Sequence, residues 1–106
     1  MENIIISVDG YEYKIKFVNP ISAELNDGES LGRIDYNNMV IFINDSTEGI
    51  RLREVLIHEL THAYLHRHKH MYESFTNENV CEMFEMYADD VVNSTNEIIK
   101  KINRLE

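Results

Sequence analysis

The sequence predicts an α+β fold, in which a small antiparallel or mixed sheet packs on two helices. In the first half, apolar and polar residues alternate on either side of Asp9-Gly10, which is typical of a β-hairpin. In the second half, apolar residues recur three or four apart, and no glycine or proline interrupts residues 50–72. A chain of 106 residues has room for one hydrophobic core. We therefore expect a single domain over residues 1–106.

The first half of the chain is predicted to form two strand pairs. A hairpin over residues 4–18 places six apolar or aromatic residues on one face when it pairs Val8 with Tyr11, Ile6 with Tyr13 and Ile4 with Ile15. A second pair over residues 32–44 turns at Asn37-Asn38, with Ile34 opposite Ile41 and Tyr36 opposite Met39. The strand over residues 39–43 is apolar on both faces, so we expect it to lie against the helices. Its edge is also a candidate binding site for an extended peptide.

Two helices are predicted to follow. Asp45 and Glu48 have the spacing of a capping box, which predicts a helix over about residues 46–66. Thr76 is a candidate N-cap for a second helix over about residues 77–104. One apolar stripe runs along this second helix: Val80, Phe84, Tyr87, Val91, Thr95, Ile98, Ile102 and Leu105. We expect its first half to bury against the preceding helix and its second half to be available for a homo-oligomer contact.

The first of these helices carries the motif HExxH, formed by His58, Glu59, Leu60, Thr61 and His62. Residues four apart lie on one face of a helix, so the two histidines can present their ring nitrogens to a single metal ion. The glutamate beside the first histidine can reach water on that metal, as in zinc peptidases. The motif therefore predicts a Zn²⁺ site with His58 and His62 as ligands and Glu59 as the catalytic base.

A catalytic zinc site normally has a third protein ligand, and the sequence offers three candidates for it. We favour Glu78, which lies at the start of the last helix, with Glu82 one turn later as a hydrogen-bond partner of a ligating imidazole. Glu85 is the rival carboxylate. His68 lies ten residues after the first histidine, as in HExxHxxGxxH, but Leu65 occupies the place of the glycine that permits the sharp turn.

These residue types point to peptide hydrolysis. Zinc acidifies water and polarises a carbonyl group, and Glu59 would transfer the proton from the attacking water to the leaving amine. The developing oxyanion needs a further donor. The sequence leaves several candidates open for that role: Tyr72, Tyr87, His66, His68 and His70.

The pattern of His58-Glu59-Leu60-Thr61-His62 followed by Glu78 resembles the gluzincin group of zinc metallopeptidases. Within that group it is similar to the small phage and bacterial proteins of the ImmA/IrrE type. A strand precedes the helix that carries the motif, and Glu78 is followed by the small residue Cys81 and the acid Glu82. The resemblance spans roughly residues 32–92. It implies a minimal zincin-like domain and, in some members, regulated cleavage of a repressor protein.

Composition limits the partners that we expect. A net charge of −9 argues against nucleic acid, and no apolar run is long enough to cross a membrane. The single cysteine, Cys81, and an N-terminus without a signal-peptide pattern favour the cytoplasm. We expect a protein or peptide substrate. The alternative is a phage-type protein that keeps zinc for stability, lacks catalysis, and binds a host protein through its acidic surface.

Overall fold

The computed structural model of the protein describes residues 4–19, 21, 25, 31–67 and 76–105. Within those residues, a four-stranded mixed sheet packs against two helices, which confirms the predicted α+β fold. The elements are β1 (Ile4–Val8), β2 (Tyr11–Val18), β3 (Gly32–Asp35), β4 (Val40–Asn44), α1 (Gly49–Arg67) and α2 (Asn77–Leu105).

Strands β1 and β2 form the predicted hairpin in the predicted register. Ile4 lies opposite Ile15, Ile6 opposite Tyr13, and Val8 opposite Tyr11. Both turn residues have positive φ, 52° at Asp9 and 85° at Gly10, as a two-residue turn that matches the twist of a hairpin requires. The shared face is buried except at Tyr11, so burial of this face fixes the register.

The sheet order is β1-β2-β4-β3, with β2 and β4 parallel and β3 antiparallel to β4. Ile34 lies opposite Ile41, as predicted, and residues 36–39 form the turn. Strand β4 has a hydrogen-bonded neighbour on each side, so the prediction that residues 39–43 offer an edge is wrong. The edge strand on this side is β3, which contacts α1.

Two separate clusters of apolar residues bury the two faces of strand β4. Ile41 and Ile43 are fully buried in the main core with the helices. Val40 and Phe42 lie in a second cluster, where they pack with Leu25, whose side chain is 1% exposed. The connection over residues 19–31 is mostly polar in sequence. Among its described residues, Leu25 packs on the face of the sheet away from the main core.

Helix α1 begins at Gly49, three residues after the predicted start at residue 46. The side chain of Asn44 accepts a hydrogen bond from the Ser46 amide at 2.8 Å, and the Asn44 carbonyl accepts one from Thr47 at 3.0 Å. These bonds hold residues 44–47 in a turn. The capping box predicted for Asp45 and Glu48 is therefore wrong.

Helix α2 begins with the predicted cap. The Thr76 hydroxyl accepts a hydrogen bond from the Asn79 amide at 3.1 Å, and the Asn79 side chain accepts one from the Thr76 amide at 3.2 Å. This reciprocal pair satisfies free amides at the start of the helix.

The apolar stripe of α2 matches the prediction in part. Tyr87 and Val91 of the first half are buried between the helices, as predicted. Thr95, Ile98 and Ile102 in the second half are buried in the chain's own core. In the first half, Phe84 is 60% exposed and Val80 is 37% exposed. The second half of α2 lies near β1, where Lys101 donates a hydrogen bond to the carbonyl of Ile5. Among the described helices, none combines the length and apolar content that crossing a membrane requires.

We expect Leu25→Ala to lower the free energy of unfolding by about 2–5 kcal/mol, because it removes the side chain that covers Val40 and Phe42. Chemical denaturation would measure the change. Ile21→Ala, at a position that is 85% exposed in the same connection, is the control and should change stability by less than about 0.5 kcal/mol. Equal effects of the two substitutions would contradict the assigned role of Leu25.

Candidate metal centre

Helix α1 has one side that is buried in the core and another side that carries the two histidines of the motif. Leu56, Leu60 and Ala63 are fully buried, which fixes the rotation of the helix about its axis. His58 and His62 lie on the opposite side and are exposed. Since residues four apart share a helix face, the packing of three apolar residues directs both imidazoles outwards together.

The two imidazoles converge in a way that fits a metal ion. Their Nε2 atoms are 3.2 Å apart, and the ring planes are inclined by 74°. Zinc–nitrogen distances of 2.0–2.1 Å with tetrahedral angles give a separation of about 3.3 Å between two ligand nitrogens. Partial desolvation of its ring, and then the neighbouring His58, lowers the pKa of His62. The neutral imidazole, which is the form that binds metal, is thereby favoured.

Glu59 points away from the solvent and is only 7% exposed. Desolvation raises the pKa of its carboxyl group, and the charge of His58 partly opposes that rise. Gly32 at the start of β3 permits this burial: a Cβ atom there would lie 2.9 Å from Cγ1 of Val55 and 3.1 Å from Cγ of Glu59. A strand that lacks a side chain at this point can approach the glutamate closely.

A cleft of about 450 Å³ opens beside this group. Its lining combines the start of β3 with one side of α1: Leu31, Gly32, Arg51, Glu54, Val55, His58 and Glu59. One predicted ligand and the predicted base therefore face the same space as the edge strand. A chain bound along β3 would pass next to both.

The structure brings His58, Glu59 and His62 together, but it does not bring Glu78 to them. Among the described residues, no group of three or more His, Cys, Asp or Glu side chains is arranged to hold a metal. Glu78, Glu82 and Glu85 are all exposed on the first turns of α2. His68 lies outside the described residues. Glu78 therefore stays a prediction as third ligand, and so does the supporting role of Glu82.

The residues considered for oxyanion stabilisation have different positions. Tyr87 is 3% exposed and packs near Tyr64, with ring centroids 6.1 Å apart, so it belongs to the core between the helices. His66 is exposed on α1 and stacks on Tyr36 at 4.1 Å between ring centroids. Tyr72, His68 and His70 lie outside the described residues.

Tyr36 is a neighbour of the site that sequence reasoning missed. Burial, and then the negative charge of Glu59, raises the pKa of its phenol group. The only sequence signal was its position at the end of a predicted strand pair, and that position does not reveal which helix residue lies beside it.

We expect Glu59→Gln to stabilise the metal-free protein at neutral pH, because folding disfavours the ionised carboxylate. The pKa of Glu59 in the folded state is raised, so wild-type stability should fall relative to the variant as pH rises from about 4.3, the ordinary value for glutamate. Below that pH, this loss of free energy of unfolding in the wild type relative to Glu59→Gln should vanish. Denaturation at several pH values, with chelator present, measures it.

Glu54→Gln is the matched control, since this carboxylate lies one turn before His58 and its side chain is 60% exposed. This substitution on the surface should change stability by less than about 0.5 kcal/mol. A difference for Glu59→Gln that stays constant with pH would contradict the burial cost assigned to this carboxylate.

Comparison with known proteins supports a relationship over most of the chain. The family model of Peptidase M78, described as an IrrE N-terminal-like domain, matches residues 16–88. This range contains β3, β4, α1 and the first turns of α2. Searches of curated proteins and of solved structures each give no match. The match covers more than half of the chain and includes the HExxH helix, and the chain therefore belongs to the Peptidase M78 family of IrrE N-terminal-like domains.

Proposed function

We propose that the protein is a zinc-dependent peptidase that cleaves a peptide bond in a protein partner. The observation that carries the proposal is the 3.2 Å separation of the His58 and His62 Nε2 atoms, with the buried carboxylate of Glu59 beside them. Membership of a family of metallopeptidase-like proteins supports the same reading. Two converging imidazoles next to a buried carboxylate fit metal-assisted hydrolysis better than a purely structural helix.

The residues have separate roles in this proposal. Zinc held by His58 and His62 would supply Lewis acidity towards the carbonyl group and lower the pKa of water. Glu59 accepts the proton of the water that adds to the carbonyl carbon. It then donates that proton to the amide nitrogen as the carbon–nitrogen bond breaks. Burial favours this cycle, because a carboxylate with a raised pKa holds the proton more readily between the two transfers.

We propose Glu78 as the third ligand and Glu82 as the acceptor of a hydrogen bond from a ligating imidazole. Both are on the first turns of α2, whose preceding segment joins it to the end of the histidine helix. If this is correct, Glu78→Ala should abolish tight zinc binding, and Glu82→Ala should weaken it by about 10–100-fold. Retention of zinc by Glu78→Ala, with loss in Glu85→Ala, would transfer the role to the rival carboxylate.

We propose that the substrate binds as an extended chain along β3. Only one side of this strand pairs with β4, so backbone groups on its other side are free of the sheet described here. The strand begins at Gly32 in the cleft that His58 and Glu59 share. Backbone hydrogen bonds to a sheet edge hold a peptide regardless of its sequence, which suits a peptidase.

A scan of N-methyl groups along a cleaved peptide tests this binding mode. Along a strand, backbone groups alternate in direction, so methylation should lower kcat/KM at every second position and have little effect between them. The expected loss at a sensitive position is about tenfold, the value of one hydrogen bond of roughly 1.4 kcal/mol. Uniform effects along the peptide would argue against strand addition.

Elemental analysis and peptide hydrolysis test the proposed activity together. We expect about one zinc ion per chain in the wild type, loss of zinc in His62→Ala, and retention of zinc in Glu59→Gln. Hydrolysis should fall by about 10²–10⁴-fold in Glu59→Gln, since this change removes the base and leaves the ligands. His66→Ala, one turn after His62 on the helix, is the matched histidine control and should keep its zinc.

A second candidate function is a non-catalytic zinc-stabilised protein that captures another protein. The observation that favours it is the net charge of −9, which gives this small protein an acidic surface for a partner. It predicts melting that depends on zinc, no hydrolysis, and biological activity that survives Glu59→Gln. Peptide hydrolysis that survives Glu59→Gln would instead reject the assigned chemistry.

A further inference from the structure

A second concavity lies between α1 and α2 and is almost entirely apolar. This apolar groove has a volume of about 140 Å³, and its walls include Ile57 and Thr61 of α1 and Met83, Phe84, Ala88 and Val92 of α2. Ile57 and Thr61 directly precede His58 and His62 in the chain. The apolar groove therefore runs along one side of the histidines, and the cleft with Glu59 lies on the other.

The apolar groove continues into an exposed line of side chains on α2. Val80, Phe84, Ala88 and Val92 are each four residues apart, so they share one face over about 18 Å of helix. Phe84 is 60% exposed, Val92 38% and Val80 37%. Contiguous exposed apolar surface on a small domain marks a site of contact with another molecule.

The charges around this line select the kind of partner. Glu85 and Asp89 directly follow Phe84 and Ala88 in the sequence and are exposed. No lysine or arginine occurs between residues 77 and 99. A second copy of the chain, itself with a net charge of −9, would place like charges against these acids. A basic partner would be attracted to them.

We propose that the apolar groove binds an amphipathic helix of a protein partner. One large apolar side chain of that helix would enter the groove, whose 140 Å³ is close to the volume that holds a single aromatic ring. Lysine or arginine residues on the side of that helix that faces α2 would meet Glu85 and Asp89. A groove between two helices that presents an apolar floor with charged margins is the setting in which helices bind through anchors three or four residues apart.

This inference is independent of the proposed hydrolysis, because the walls of the groove do not include His58, Glu59 or His62. An experiment can therefore contradict the proposed hydrolysis without contradicting the binding of a helix, and the reverse. A protein without peptidase activity can still bind such a helix, and an active peptidase can lack this contact.

The test uses a fluorescent synthetic peptide of leucine and lysine, patterned as an 18-residue amphipathic helix, and fluorescence anisotropy. The full-length protein should bind this peptide and should not bind an analogue in which glutamate replaces every lysine. Phe84→Ser should weaken binding by about tenfold or more, because it removes the largest exposed wall of the groove. Ile50→Ser, at a position that is 81% exposed on α1 outside the groove, should not change the affinity.

Charge is tested separately with two substitutions of equal net effect. Glu85→Lys, beside the groove, should weaken binding several-fold, and the loss should shrink at high salt. Glu12→Lys, at an exposed position in β2, should have little effect. Equal losses would show that the peptide responds to net charge alone and would overturn the assignment.

Two further results complete the test. Val92→Ser should reproduce the loss seen with Phe84→Ser, and circular dichroism checks that each variant keeps its helix content. Affinity that is unchanged in both folded variants would overturn the proposal. Sedimentation that shows a dimer abolished by Phe84→Ser, with no preference for the lysine peptide, would assign the groove to a second copy instead.

Discussion

The close approach of β3 to α1 at Gly32 is the contact on which the site depends. A Cβ atom at this position would meet Val55 at 2.9 Å and Glu59 at 3.1 Å. Its absence allows the edge strand to cover Glu59, and burial in turn raises the pKa of that carboxyl group. The same approach places the start of an edge strand and the predicted catalytic base around one cleft. A larger residue at position 32 would force the side chains of Val55 and Glu59, or the strand itself, to move.

The order of the strands puts β3 at the edge of the sheet, in contact with α1. The parallel pairing of β2 with β4 puts β4 inside the sheet, and β3 consequently lies at the rim. An interior strand must be covered on both faces, which explains its apolar sequence. The helices cover one face, and Leu25 covers the other. Leu25 is thus part of what buries the interior strand β4.

Helix α2 divides into a half that stabilises the fold and a half that presents a surface. Its second half packs on β1, and Lys101 donates a hydrogen bond of 3.0 Å to the carbonyl of Ile5. Its first half carries Phe84 and Val80 on the same stripe without equivalent cover. The proposed ligand Glu78 and the acids beside the apolar groove are also in this first half. In both proposals, the functional residues of α2 lie in the half of the helix that is less buried in the core.

The sequence by itself determined the hairpin register, the Thr76 cap and the pairing of His58 with His62, because these features depend on short-range interactions. Each depends on residues that are near one another in the chain: the Asp9-Gly10 turn, an amide three residues away, and one helical turn. Only the tertiary structure decided that β3 is the edge strand and that Gly32 and Tyr36 lie near Glu59. Those outcomes depend on contacts between distant segments, and a periodic pattern in one segment does not specify its partner.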